Sequence, residues 1–145
     1  TAGTTLEHCL ALYTRGERIS GWSDGDGGRH DVVKRTVIWA LPTTLVIILK
    51  RFKPSATGFK KDRRVVDCPL VLDVSSLTET TTGPYALCAV GNHSGKMDGG
   101  HYWCTVRDYG AWYRYDDQSI VPVAEGDVIS HHAYCLVYRK NSSVG

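Results

Sequence analysis

Gly99-Gly100-His101-Tyr102-Trp103-Cys104-Thr105-Val106-Arg107-Asp108-Tyr109-Gly110-Ala111-Trp112-Tyr113-Arg114-Tyr115-Asp116-Asp117 is the stretch on which the fold turns. Residues 101–107 and 112–115 are rich in aromatic and β-branched side chains, which favour strands. Asp108-Tyr109-Gly110 between them supplies a tight reversal. Two strands joined this way form a hairpin. Counting outward from the reversal, His101 comes to face the region of Asp116 and Asp117. An imidazole has a pKa near neutrality and can accept a proton from a weak nucleophile. A carboxylate on its far nitrogen holds one tautomer. His101 with one of these aspartates is therefore the base and orienting half of a hydrolytic triad. Gly99 and Gly100 remove side-chain bulk just before the base, so another backbone can approach. A lone histidine on a strand is more often only a polar residue, and an Asp-Asp pair is usually a turn. The joint pattern is what carries the reading.

Outside this hairpin the chain also reads mainly as strands. Val32, Val33, Val37, Ile38 and Trp39 suggest one, and residues 45–49 form an apolar run expected in a strand covered on both faces. Residues 65–72 are broken by Pro69 into an edge strand or two short pieces. Residues 85–90, 119–123 and 132–138 add further strands, and residues 124–130 a short helical turn. Near the start, Thr4 and Glu7 fit a capping box, and Leu6, Cys9, Leu10 and Tyr13 recur at helical spacing. One helix over residues 5–15 follows, ended by Gly16. Residues 21–30, 53–64 and 92–100 read as turns or loops from their Gly, Pro, Asn and Ser content. The fold class expected is α+β, mainly antiparallel β, with one amino-terminal helix and a short late helical turn.

The chain has 145 residues, which suits one domain, and a net charge of +2, too weak to imply a nucleic-acid partner. No apolar run approaches the roughly 18 residues of a membrane span. The chain starts at Thr1 and its single methionine is Met97, so a piece of a longer polypeptide is expected. The five cysteines are odd in number and lack CxxC spacing, which points to free thiols in a reducing intracellular compartment, cytoplasmic or nuclear. Asp24-Gly25-Asp26 faintly suggests a calcium loop, but Arg35 stands where the closing Glu should be. His8 and His30 read as solvated, and the adjacent His131 and His132 would point apart on a strand. No metal and no cofactor is expected. The basic run over residues 50–64 reads as a solvated loop.

Taken together, Asp98-Gly99-Gly100-His101-Tyr102-Trp103-Cys104, Trp112-Tyr113-Arg114-Tyr115-Asp116-Asp117-Gln118-Ser119-Ile120 and Leu41-Pro42-Thr43-Thr44-Leu45-Val46-Ile47-Ile48-Leu49-Lys50-Arg51-Phe52 resemble the ubiquitin-specific protease family. Leu6-Glu7-His8-Cys9-Leu10 and His132-Ala133-Tyr134-Cys135-Leu136-Val137-Tyr138 are similar to its helix before the fingers and its closing strand. The resemblance covers residues 6–139 and corresponds to the carboxy-terminal half of a papain-like catalytic domain, a palm-like sheet. It implies His101 as general base, Asp116 as the orienting residue and Asp117 as an assistant. It implies that Gly99, Gly100 and Tyr102 hold the ubiquitin tail, flanked by the loops at residues 53–64 and 92–98. The partners implied are ubiquitin, ubiquitinated proteins and the missing amino-terminal lobe. The family's Asn-Thr-Cys nucleophile box has no counterpart here, and none of the five cysteines replaces it by sequence. Three readings follow: half of a cysteine isopeptidase, a catalytically dead ubiquitin-binding or scaffold module, or an antiparallel domain without a site.

Overall fold

Alternating apolar residues from Tyr85 onward build the longest strands, and the rest of the chain packs around them. The computed structural model describes residues 4–78 and 83–141. The amino-terminal part contains β1 (Thr4–Thr5), α1 (Leu6–Thr14), β2 (Glu17–Ser23), β3 (Arg29–Lys34) and β4 (Thr44–Ile48). Next come β5 (Phe52–Ser55), β6 (Gly58–Lys61), β7 (Val66–Asp67), β8 (Val71–Leu72) and a 3-10 turn at Ser75–Leu77. The carboxy-terminal part contains β9 (Tyr85–Lys96), β10 (Gly99–Asp108), β11 (Ala111–Asp116), β12 (Ser119–Val123), a 3-10 turn at Glu125–Asp127 and β13 (Ala133–Lys140).

The main sheet runs β12-β11-β10-β9-β13-β4, all antiparallel, and β8 pairs with the first two residues of β9. Consecutive hairpins from β9 to β12 explain one half, because two-residue reversals keep neighbours in sequence adjacent in space. β13 then returns to the other side of β9. β2-β3 and β5-β6 form separate two-stranded pairs, and β1 pairs in parallel with β7. The architecture is the expected α+β, mainly antiparallel, with one α-helix among the described residues.

The core gathers Leu6 from α1, Leu72, Val74, Tyr85, Leu87, Val90, Trp112, Val128, Ala133, Leu136 and Tyr138. The two buried tyrosines satisfy their hydroxyls: Tyr85 donates to the Pro42 carbonyl at 2.5 Å and Tyr138 to that of Pro69 at 2.8 Å. The β9-β13 ladder shifts register twice. Cys88 is an extra residue on β9 and Tyr134 an extra residue on β13. Past Cys88 the inward set changes from Tyr85 and Leu87 to Val90 and Asn92. Buried Asn92 donates to the Thr105 hydroxyl and the Val90 carbonyl, both at 3.3 Å.

Several sequence expectations are corrected. Thr5, not Thr4, caps α1, its hydroxyl accepting from the His8 N–H. Arg15 in extended conformation ends the helix, not Gly16, and Tyr13 stays exposed. Residues 21–30 belong largely to the β2-β3 hairpin, and residues 37–39 form no strand. β4 is an edge of the sheet rather than a strand covered on both faces: Leu45 and Ile47 turn inward, while Val46 and Ile48 are more than half exposed. A continuous apolar run cannot by itself say whether one face or two are covered. Residues 53–64 contain the β5-β6 hairpin, and most of residues 92–100 extends β9 and β10 instead of forming a loop. The basic run at residues 50–64 is not uniformly solvated. Arg51 is buried and donates to the carbonyls of Ala133 at 2.6 Å, Asp62 at 3.1 Å and Arg64 at 2.7 Å. Burial disfavours its charged form, and the Asp62 carboxylate opposes that effect. His131 and His132 lie in the turn before β13, not on it, with ring centroids 3.8 Å apart.

Candidate active site

The site forms on one face of the β10-β11 hairpin. Tyr109 (φ 45°) and Gly110 (φ 85°) are both left-handed, the geometry of a type I′ reversal, and Asp108 pairs with Ala111 across it. The register continues through Cys104 opposite Tyr115. Extending it by one residue sets Asp116 opposite Trp103, diagonal to His101. Alternation then puts His101, Trp103, Arg114 and Asp116 on the same face.

His101 Nε2 lies 2.5 Å from Asp116 Oδ1. An ionised carboxylate only accepts, so Nε2 carries the proton. Nδ1 of the neutral ring is then the basic nitrogen, and no hydrogen bond occupies it among the described residues. Arg114 Nη2 donates to the other oxygen, Asp116 Oδ2. These two partners, His101 first, hold the Asp116 carboxyl below the usual aspartate range. The imidazole is about half exposed and Asp116 is about one-fifth exposed. Trp103 is the platform beneath the pair. Its ring stacks with His101 at 5.9 Å and 23°, carries the Arg114 guanidinium at 4.7 Å, and meets His132 edge-on at 5.0 Å.

Asp117 opens the link to β12 in a left-handed conformation (φ 51°), and its carboxylate joins the group. Ligand-type atoms of His101, Asp116 and Asp117 all lie within 4.8 Å of one another, and no cysteine belongs to that group. Both Asp116 oxygens already have partners. Cys68 is buried with its thiol pushed up to about 12, and burial raises that of Cys135 as well, the opposite of what activates a nucleophile.

Gly99 and Gly100 differ in what they do. A Cβ on Gly99 would meet nothing within 4 Å. A Cβ on Gly100 would sit 2.2 Å from the Ser94 carbonyl oxygen and 2.4 Å from His93 Nε2. Gly100 is therefore required by the neighbouring strand of its own chain. Tyr102 faces away from His101, mostly exposed, with its ring 4.4 Å from that of His93 directly across the ladder. Arg114, Trp103 and His93 were not picked out by sequence reasoning. The first two lie on the same two-residue alternation as His101 and Asp116, which is the signal that finds them.

The family model of ubiquitin carboxyl-terminal hydrolase (UCH) matches residues 4–138. The chain belongs to this family. Ubiquitin carboxyl-terminal hydrolase 15 of Homo sapiens is 36% identical over 148 residues, covering 95% of this chain and 15% of that protein. Ubiquitin carboxyl-terminal hydrolase 19 of Homo sapiens is 33% identical over 159 residues, covering 96% of this chain and 12% of that protein. A solved yeast SAGA DUB module with mutant Sgf73 has a TM-score of 0.85 at 25% identity, covering 96% of this chain and 33% of the other. The SAGA Ubp8/Sgf11/Sus1/Sgf73 DUB module bound to ubiquitin aldehyde has a TM-score of 0.86 at 23% identity, covering 96% and 34%, and shows the shared fold. The resemblance to ubiquitin-specific proteases thus holds over nearly the whole chain, which spans about 15% of the length of the curated relatives it matches.

Proposed function

We propose that this chain is the carboxy-terminal half of the catalytic domain of a thiol-dependent ubiquitin isopeptidase, supplying the base and its orienting acid to a cysteine outside this sequence. The observation that carries the proposal is the 2.5 Å contact of His101 Nε2 with Asp116, which leaves Nδ1 as the basic nitrogen. In the reaction, the cysteine thiol gives its proton to Nδ1 and the sulfur attacks the carbonyl of ubiquitin's terminal glycine. The imidazolium, stabilised by Asp116, returns that proton to the departing lysine amine. Water then gives a proton to Nδ1 and attacks the thioester, and the thiol is regenerated. Asp117 supports the charged imidazolium, and Gly99, Gly100 and Tyr102 line the path of the incoming tail. Arg114 fixes the Asp116 carboxylate from its free side. Five free cysteines support a reducing, intracellular setting for the parent protein.

The test joins this chain to an amino-terminal lobe carrying the nucleophile and follows cleavage of a fluorogenic ubiquitin reporter. The chain alone is expected to be inactive and the complex active. His101→Ala is expected to lower kcat/KM by about 10³ or more. A folded complex without turnover, or turnover indifferent to His101→Ala, overturns the proposal. If that inactive complex still captures ubiquitin, the chain is a binding module.

A further inference from the structure

His93 is a charged-type side chain that the catalytic scheme does not use, yet it is only 2% exposed. It lies on β9 directly opposite Tyr102 of β10. Lys61, the last residue of β6, reaches it twice, from Nζ to His93 Nδ1 at 2.9 Å and to the His93 carbonyl at 2.6 Å. An ammonium only donates, so Nδ1 is the acceptor and the ring is neutral with its proton on Nε2. The Lys61 ammonium also stands 5.6 Å above the Phe52 ring of β5. Phe52, Tyr102 and Tyr134 surround the imidazole, with centroids at 5.8, 4.4 and 6.0 Å. On its other side, Nε2 lies so close to Gly100 that no larger residue fits there. One ring therefore touches both the β5-β6 hairpin and the strand entry that carries His101.

We propose that neutral His93 is a positioning latch, its Nδ1 holding Lys61 and so keeping the β5-β6 hairpin closed against β9, beside the Gly99-Gly100-His101 segment. The consequence for turnover rests on the hydrolase proposal, because the closed hairpin would flank the incoming tail. Protonation of Nδ1 would set two cations against each other at 2.9 Å and release the hairpin. Burial, then Lys61, then His132 all disfavour the charged ring, so its pKa is lowered. The groups facing it are Lys61 from β6, His132 from the turn before β13, Tyr102 from β10 and Tyr134 from β13; Arg51, Arg63 and His131 act one step further out, on Lys61 and His132. A lowered histidine pKa means that the unfolded or opened state binds the proton more readily. The contribution is then complete above about pH 6.5 and is lost as pH falls through the folded value.

The test uses the chain itself. Nitrogen-15 imidazole spectra should show His93 with Nδ1 unprotonated at neutral pH. Amide protection in β6, corrected for intrinsic exchange, should fall about tenfold or more as His93 titrates, while β11 and β12 stay protected. His93→Asn, which keeps an acceptor near the Nδ1 position, should retain β6 protection but lose its pH step. His93→Phe, which keeps the ring and loses the acceptor, should lose protection at every pH. Lys61→Met, at a half-buried position, makes the same test from the hairpin side. In the joined hydrolase, His93→Phe should raise KM about fivefold or more with kcat nearly unchanged. A protonated Nδ1 at neutral pH, pH-independent protection of β6, or equal behaviour of the Asn and Phe variants overturns the latch. Exchange and spectra need no turnover, so an inactive joined protein would count against the hydrolase and leave the latch to its own result.

Discussion

Asp116 answers two donors with two oxygens, His101 on Oδ1 and Arg114 on Oδ2. Asp116→Asn leaves one oxygen for both, and its amide nitrogen must confront one of them. Facing His101, that nitrogen drives the ring toward the tautomer with a proton on Nδ1, which cannot accept one from a thiol. The expected result in the joined hydrolase is a fall in kcat of about 10² to 10⁴, with folding retained by circular dichroism. The lowered carboxyl pKa of Asp116 has the opposite sign sense from a raised one. Its stabilising interaction is present above about pH 3.9 and is lost as pH falls below that. Carbon-13 carboxyl spectra should therefore show Asp116 titrating below a free aspartate. His101 and the Asp116-Asp117 pair are legible in the sequence because a reversal fixes the count along both strands; the choice of Asp116 between the two comes from the family resemblance. His93 is not legible, because nothing local says that residue 93 will be covered by a hairpin some thirty residues earlier.

The reversal at Tyr109-Gly110 holds a bulky side chain in the left-handed region, at φ 45°, with the tyrosine fully exposed. Its ring therefore contributes little packing to offset the backbone cost. Tyr109→Asn installs the dipeptide that type I′ turns favour. It should stabilise the chain by about 1 kcal/mol, read as a higher urea midpoint at unchanged slope. A lower midpoint would contradict this account of the turn. Glycine plays a different part in the neighbouring hairpin. Over residues 92–100 it reads as a loop signal, whereas Gly95 and Gly100 are paired across the β9-β10 ladder. A Cβ on Gly95 would lie 2.6 Å from the Gly100 Cα. These glycines mark close approach of two strands, which sequence alone cannot tell from a turn.

Across the whole molecule, β4 leaves one edge of the main sheet unpaired among the described residues, with Val46 and Ile48 on its exposed face. Such an edge invites pairing with a second copy. Concentrated protein should self-associate by light scattering, and Val46→Lys should shift it toward monomer; a wild-type chain that stays monomeric would refute this. The antiparallel class was legible from two-residue alternation and short reversals. The strand order was not, because β13 enters between β9 and β4 through contacts distant in sequence. The two bulges in that central ladder cancel. Cys88 advances one strand by a residue and Tyr134 advances the other, so the pairs between them run out of step with those at either end. Removing either extra residue would leave the pairs on both sides of it standing and restore strict two-residue alternation, because Leu87 with Val90 and Ala133 with Leu136 already face inward three residues apart. Each extra residue is thus a self-contained kink that its strand could lose without disturbing the other.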